Sequence, residues 1–308
     1  MLKNIKQAIS SVFIGKEEAV DAMLVCLLAN GHILLEDVPG TGKTLLAKTV
    51  AKVIDGAFSR IQFTPDVLPG DITGIEYFNA KTGEFELRQG PIHTNLLLAD
   101  EINRAMPRSQ SSLLEAMEER QVTIERHTLP LPKPFLVIAT QNPLESQGTF
   151  PLPDAQLDRF LMLIPLGYPT MEEERDMLRR FRVQQPLEQL GAAVSLADIV
   201  AMQEQVKEVT VAEAVEDYIL HLVQRTRSHH YLAAGISPRG TLALMRSVQA
   251  YAFLKGRAYV TPDDVQRMVP YVWAHRLMLS MEGALRVSKS ELLRDILEEV
   301  DVPVELQR

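Results

Sequence analysis

The chain has 308 residues, 46% of them hydrophobic and 23% charged, with a net charge of −8 at pH 7. That is globular composition, long enough for two domains with cores of their own. It is too acidic for an extended nucleic-acid surface, although a local basic pore stays compatible with it. One cysteine, Cys26 in an apolar run, excludes an internal disulfide and reads as a small buried hydrophobe. No run approaches the roughly 18 apolar residues of a membrane span, and the N-terminus lacks a signal peptide's long apolar core. A cytoplasmic protein without a membrane span is expected.

Residues 2–10 alternate apolar and polar types at helical spacing. The stretch Val12 to Val20 follows, a loop leading into a helix that runs to about Asn30. In that loop Ile14 and Gly15 are candidates to touch a nucleotide base, and packing explains them equally well. From Ile33 to Leu35 the pattern is a short buried strand, followed by a glycine-rich loop and a helix starting near Lys43.

The loop Pro39-Gly40-Thr41-Gly42-Lys43-Thr44 has the chemistry of a phosphate cradle. Gly40 and Gly42 lack a Cβ, so the backbone can curl and aim its N–H groups inward. The helix N-terminus adds partial positive charge at the same place. Lys43 would reach the β- and γ-phosphates, and Thr44 would offer its hydroxyl to a magnesium ion. Leu45, the next residue, is counted with this cofactor-binding set. The strict pattern G-x-x-x-x-G-K-[ST] wants glycine at position 37, where this chain has Asp37.

Phe58 to Phe63 alternates like a strand. Thr64 to Gly74 holds two prolines and two glycines and reads as loop. Glu76 to Arg88 has two alternating arms around Lys81-Thr-Gly83, a hairpin signal. Ile92 to Glu101 is then decisive: a continuous apolar run that reads as a central parallel strand and ends in two carboxylates. At that edge of a parallel sheet ligands bind. Asp100 would belong to the magnesium shell and Glu101 would polarise the attacking water.

A helix is expected from Ser109 to Arg120, and a second hairpin from Gln121 to Leu131. The strand Phe135–Ala139 ends in Thr140-Gln-Asn-Pro143, where Asn142 is either a water- or phosphate-binding amide or a plain Asn-Pro turn. After a long loop come a short helix, Ala155–Phe160, and a last strand, Leu161–Pro165. Beyond Tyr168 strands give way to amphipathic helices near 171–181, 196–206, 212–227, 238–253 and 262–273. Thr170, Ser195, Ser237 and Thr261 supply their start signals, two of them ahead of proline. The expected fold is α/β, a parallel sheet flanked by helices over residues 1–167, followed by an all-α lid over residues 168–308. The tail from Glu291 to Glu299 is amphipathic, and Trp273 reads as a packing anchor.

Five stretches together resemble the MoxR family of AAA+ ATPases along nearly the whole chain. They are Leu34-Leu-Glu-Asp-Val-Pro-Gly-Thr-Gly-Lys-Thr44, Arg60 through Gly74, Leu97-Leu-Ala-Asp-Glu-Ile-Asn-Arg104, Leu152 through Phe160 and Gly235-Ile-Ser-Pro-Arg-Gly240. Ala139-Thr-Gln-Asn-Pro143 agrees with them, and Gly70 departs from the serine of many members. In this resemblance Asp37 is part of a Glu-Asp-Val-Pro-Gly signature. The two hairpins resemble a helix-2 insertion and the hairpin before the sensor strand. Asn142 resembles sensor 1, Arg159 an arginine finger serving the neighbouring subunit, and Arg239 sensor 2 on the lid; Arg104 and Arg108 follow the acidic pair.

The resemblance implies ATP/ADP and Mg2+ as cofactors, a homo-oligomer of hexamer type, a von Willebrand factor A domain partner and a client protein complex that is remodelled or assembled. The alternative, an ATP-driven nucleic-acid motor or loader, finds only modest support in Tyr77, Phe78, Lys81, Phe85 and Arg88, and the acidic charge opposes it.

Overall fold

The structure is a computed structural model that describes residues 1–36, 40–142, 148–182 and 186–303. In chain order the early elements are α1 (Leu2–Val12), α2 (Glu17–Leu28), β1 (Ile33–Glu36), α3 (Lys43–Val53), β2 (Phe58–Gln62), α4 (Pro69–Thr73), β3 (Gly74–Asn79) and β4 (Glu84–Gln89). Then follow β5 (Leu96–Asp100), α5 (Pro107–Glu119), β6 (Gln121–Ile124), β7 (His127–Pro130), β8 (Leu136–Gln141), α6 (Asp154–Leu157), β9 (Met162–Pro165) and α7 (Met171–Phe181). The rest comprises α8 (Pro186–Gln189), α9 (Leu196–Val206), α10 (Glu213–Ser228), β10 (Leu232–Ala234), α11 (Pro238–Leu254), α12 (Pro262–Trp273), β11 (Met278–Leu279), α13 (Met281–Arg286) and α14 (Lys289–Glu299).

Five strands form one sheet in the order β2-β5-β8-β1-β9. The pairings β2–β5, β5–β8 and β1–β8 are parallel. Leu96, Leu97, Leu98 and Ala99 are all 0% exposed, as expected of a central strand covered on both faces. Each such leucine contributes about 1.5–3 kcal/mol through burial. The two expected hairpins are the separate antiparallel pairs β3–β4 and β6–β7. Gly74 opens the first at φ 113°, where a Cβ would meet the Arg88 carbonyl oxygen at 2.3 Å.

His32, just before β1, joins the sheet to α5. Its Nδ1 accepts the Val137 N–H at 3.0 Å and its Nε2 donates to the Met117 carbonyl at 3.1 Å. The ring packs edge-on to Phe135, with centroids 5.5 Å apart.

Two compact units emerge from the contacts. The first holds Met1–Met23, His32–Leu152 and Ile164–Ala201; the second holds Leu24–Gly31, Pro153–Leu163 and the chain from Met202 onward. The segment after residue 167 as far as Ala201 therefore packs within the first unit.

The expected start signals are present. Thr170 Oγ1 accepts the Glu173 N–H at 3.3 Å, and Ser237 Oγ accepts that of Gly240 at 3.1 Å. In the second unit Trp273 is buried and its Nε1 donates to the Gly240 carbonyl at 3.0 Å. α14 supplies Leu292, Leu293 and Ile296 to the same unit's core. The helical part also contains a short antiparallel pair, β10–β11, and the proline-rich segment read as loop contains α4. There Asp71 Oδ2 accepts the Leu68 N–H at 2.9 Å and proline occupies the first helical position, where its missing N–H costs nothing.

Candidate functional site

The site starts at the turn between β1 and α3. Gly40 and Gly42 have φ of 90° and 87°, a region closed to most side chains. Gly42 is the N-cap of α3, and having no side chain it cannot cap that helix end itself. Amides in the first turn of a helix have no carbonyl partner within the helix, and such a turn suits an anionic acceptor. Residues 37–39 lie outside the described residues, so the expectations for Asp37 and Pro39 have no structural counterpart.

Gly40, Thr41, Gly42, Lys43 and Thr44 line a cavity of about 430 Å³ together with Arg60, Gln62, Asp100, Glu101, Thr140 and Asn142. The strand register explains the assembly. Gln62 of β2 pairs with Asp100 of β5, and Ala99 with Ala139 of β8, so the carboxyl ends of three neighbouring strands meet the glycine loop.

The two acids are held by different partners. Asp100 Oδ2 receives the Arg60 Nη2 at 2.6 Å, and its Oδ1 accepts the Thr140 hydroxyl at 2.7 Å. Arg60 also donates to Gln62 Oε1 at 2.7 Å. Thr140 Oγ1 in turn accepts the Glu101 N–H at 2.9 Å. One hydroxyl thus bridges the two acidic residues. Glu101 has a left-handed backbone, φ 56° and ψ 49°, which is strained for a residue with a side chain and turns its carboxylate out of the strand direction. Its Oε2 lies 2.9 Å from Arg104 Nε. Asn142 is 7% exposed, and its carbonyl faces Asn103 Nδ2 at 3.5 Å.

A second cavity, of about 410 Å³, shares Gly40, Thr41 and Gly42 with the first. Its lining is largely apolar: Val12, Phe13, Ile14 and Leu45 from the early part of the chain, and Tyr168, Pro169, Met177, Leu178 and Phe181 from the segment that leads into and forms α7. Ile14 and Leu45 thus both line this cavity. Gly15, at φ 80°, forms the turn beside it.

Arg159 and Arg239 belong to the second unit. Arg159 follows α6, in a segment clamped by Arg276. Arg276 Nε meets Asp158 Oδ1 at 2.6 Å, and its Nη2 donates to the Asp158 and Phe160 carbonyls at 3.2 and 2.7 Å. Nη1 donates to Leu161 O at 3.1 Å and to the Val272 carbonyl. Burial pushes the Arg276 pKa below its usual value, and the Arg239 charge adds to this, while Asp158 opposes it. Arg239 is in the first turn of α11.

The first-unit candidates are therefore brought together around the glycine loop. Arg60, Gln62 and Thr140 were missed in the sequence reading. Alternation in the strand 58–63 puts Arg60 and Gln62 on one face, and that was the available signal. Which strand they would neighbour was not visible.

The donor set fits a magnesium–nucleotide: amides at a helix N-terminus and a lysine for phosphate oxygens, and a hydroxyl and a carboxylate as hard oxygen ligands for the metal. Among the described residues no helix is long and apolar enough to cross a membrane.

Known proteins agree with this geometry. Residues 32–162 match the model of the ATPase family associated with various cellular activities (AAA), and residues 224–296 match the AAA lid domain. The chain is 49% identical to the uncharacterised protein YeaC of Bacillus subtilis, over 96% of this chain and 93% of that one. It is 43% identical to the chaperone MoxR1 of Mycobacterium tuberculosis, over 96% and 80% of the two chains. A crystal structure of a candidate ATPase from Cytophaga hutchinsonii superposes with a TM-score of 0.92 at 40% identity, covering 98% of this chain and 94% of that one.

Proposed function

Because the chain belongs to the MoxR family of AAA+ ATPases, we propose that it binds and hydrolyses ATP at the Gly40–Thr44 loop. As a homo-oligomeric, hexamer-type ring in the cytoplasm, it would use that cycle to remodel or assemble a partner protein complex. The observation that carries this reading is the cavity in which Lys43, Thr44, Asp100, Glu101 and Asn142 converge.

Each residue has a distinct task. The loop amides and Lys43 hold the β- and γ-phosphates. Thr44 and Asp100 would hold a magnesium ion, which supplies charge neutralisation on the transferring phosphoryl group. Glu101 accepts a proton from the attacking water, and Asn142 orients that water. Thr140 keeps both acidic residues in register, since its single hydroxyl serves both. Arg60 and Arg104 each pair with one oxygen of the two acids, Asp100 Oδ2 and Glu101 Oε2, and so orient both carboxylates. The apolar cavity at Ile14 and Leu45 takes the base, with Gly15 forming its turn.

Arg159 would complete the site of a neighbouring subunit, and Arg239 would sense nucleotide from the lid. We place the functional boundary near residue 167, with the nucleotide-binding domain at 1–167 and the lid at 168–308; the two family-model matches fall on either side of it. A von Willebrand factor A domain protein is the partner this reading expects, with a client protein complex as substrate. The relative named as a chaperone supports that direction. The β3–β4 hairpin does too: Phe78 and Phe85 are exposed and in edge contact at 5.5 Å, amid both acidic and basic side chains. That mixed tip suits a protein surface better than a phosphate backbone.

The test is Glu101→Gln. Turnover of ATP should fall by roughly 10² to 10⁴, while bound nucleotide and the oligomer persist in size-exclusion light scattering. Undiminished turnover removes Glu101 from the reaction. A wild-type chain that stays monomeric with ATP and turns over at full rate removes the ring.

A further inference from the structure

One carboxylate outside the reacting groups gathers an unusual set of ties. Glu173 stands in the first turn of α7. Its Oε2 accepts the Thr170 N–H at 2.7 Å, as a capping partner should. Its Oε1 accepts the Lys16 N–H at 3.1 Å, from a turn 157 positions earlier in the chain. That turn has left-handed backbone at two successive residues, Gly15 at φ 80° and Lys16 at φ 52°. A Cβ on Gly15 would lie 2.4 Å from Glu173 Cδ, so the carboxylate rests directly on the glycine. Two more ties run alongside. Lys16 Nζ donates to the Gly167 carbonyl, and Arg180 Nη1 donates to the carbonyls of Ser10 and Ser11 at 3.3 and 3.2 Å.

These ties join the two walls of the apolar cavity beside the phosphate loop. Phe13, Ile14 and Lys16 belong to one wall; Tyr168, Met177 and Leu178 belong to the other. Hydrophobic packing contributes little to holding the second wall, because α7 contains no fully buried residue, and Tyr168 and Leu178 are 73% and 75% exposed. What fixes α7 against the Gly15–Lys16 turn is polar, and Glu173 lies at its centre.

We propose that Glu173 is a positioning residue for the nucleotide base: it sets the spacing between the two apolar walls, so base affinity depends on it and phosphate chemistry does not. The inference rests on the reading of the site as an ATP site. Glu173 touches neither phosphate-loop residues nor the acidic pair in any hydrogen bond described above. Its carboxyl is held below the usual range chiefly by the Thr170 amide, which keeps it an acceptor for both N–H groups at neutral pH. A glutamine keeps the shape but turns an amino group toward one of the two donors.

The experiment compares Mg-ATP with inorganic tripolyphosphate, which has no base, by titration calorimetry on wild type, Glu173→Gln and Glu173→Ala. Thermal melts check that the variants fold. Wild type should prefer ATP. Glu173→Gln should lose roughly tenfold in ATP affinity, keep its tripolyphosphate affinity, and show a raised KM for ATP with kcat unchanged. Variants that bind ATP as wild type does overturn the assignment and leave the ATP reading standing. Parallel loss of both ligands along with the melting temperature also overturns it, since that is a general structural role. A wild type indifferent between ATP and tripolyphosphate removes the base cavity itself, and the inference with it.

Discussion

Acidification should destabilise the first unit through His32, and by a predictable amount. The Val137 amide can only donate, so the imidazole Nδ1 it meets at 3.0 Å must accept. The Met117 carbonyl can only accept, so Nε2 carries the hydrogen. Both ring positions are committed to the neutral form, and a second proton would set two N–H groups head to head. Burial accordingly pushes the His32 pKa well below its usual value, and the Arg120 charge pushes the same way. Burial brings Arg120 itself down only to about 10, so it stays charged at neutral pH.

In the unfolded chain the histidine titrates near 6.5. Below that pH the unfolded state binds a proton that the folded state refuses, so stability present above about 6.5 is lost as the pH falls. From about pH 7.5 to about 5.5 the unfolded state gains a factor of about ten, or about 1.4 kcal/mol, from this residue. Urea unfolding followed by circular dichroism at several pH values measures it, with His32→Gln as the comparison. The variant should start less stable and lose about 1.4 kcal/mol less across the range. Equal pH slopes for variant and wild type would show that the tautomer argument is wrong.

Other substitutions test other parts of the structure. Arg276→Met strips an ion pair and several carbonyl partners from a side chain only 4% exposed, and should cost about 3–5 kcal/mol in denaturant unfolding; an unchanged midpoint would contradict the clamp. Gly74→Ala should lower the melting temperature clearly more than Gly83→Ala. A Cβ at Gly74 meets backbone at 2.3 Å, whereas at Gly83 it meets nothing within 4 Å, although both have positive φ. Similar losses would assign the effect to φ alone. Arg159→Ala should slow turnover by roughly 10³ or more with nucleotide affinity kept, and full activity of the variant as a monomer would reject the proposed finger role.

Much of the site was readable because its chemistry is local. The apolar run into Asp100 and Glu101 and the glycine loop before Lys43 each carry their meaning in adjacent residues. Helix starts at Thr170, Ser237 and Thr261 are local as well, and the structure has α7, α11 and α12 there. Arg60 and Thr140 were not readable. Their significance comes from strand neighbours roughly forty positions away, and nothing in either residue's own surroundings announces it. The pair β10–β11 escaped for another reason: strands of three and two residues are too short to show a period. Glu173 was hidden in a run of glutamates that looks like a solvated helix start. Its capping tie to Thr170 is local, but the Gly15–Lys16 turn packed against it comes from 157 positions earlier and has no local signal.

The two units are interleaved along the chain, and that imposes an order in time. A ribosome delivers the N-terminal part first, so all segments of the first unit have emerged once Ala201 is out. Leu24–Gly31 and Pro153–Leu163 must wait for partners made later. Gln203 Nε2 reaches the Leu27 carbonyl at 2.7 Å across 176 positions, and the clamp on Asp158 comes only with Arg276. A nascent chain would therefore own its Gly40–Thr44 loop before the segment carrying Arg159, the proposed finger, is held in place. On the proposed reading such a chain would have no ordered Arg159 to offer a neighbour, so entry into the proposed ring would be reserved for finished copies.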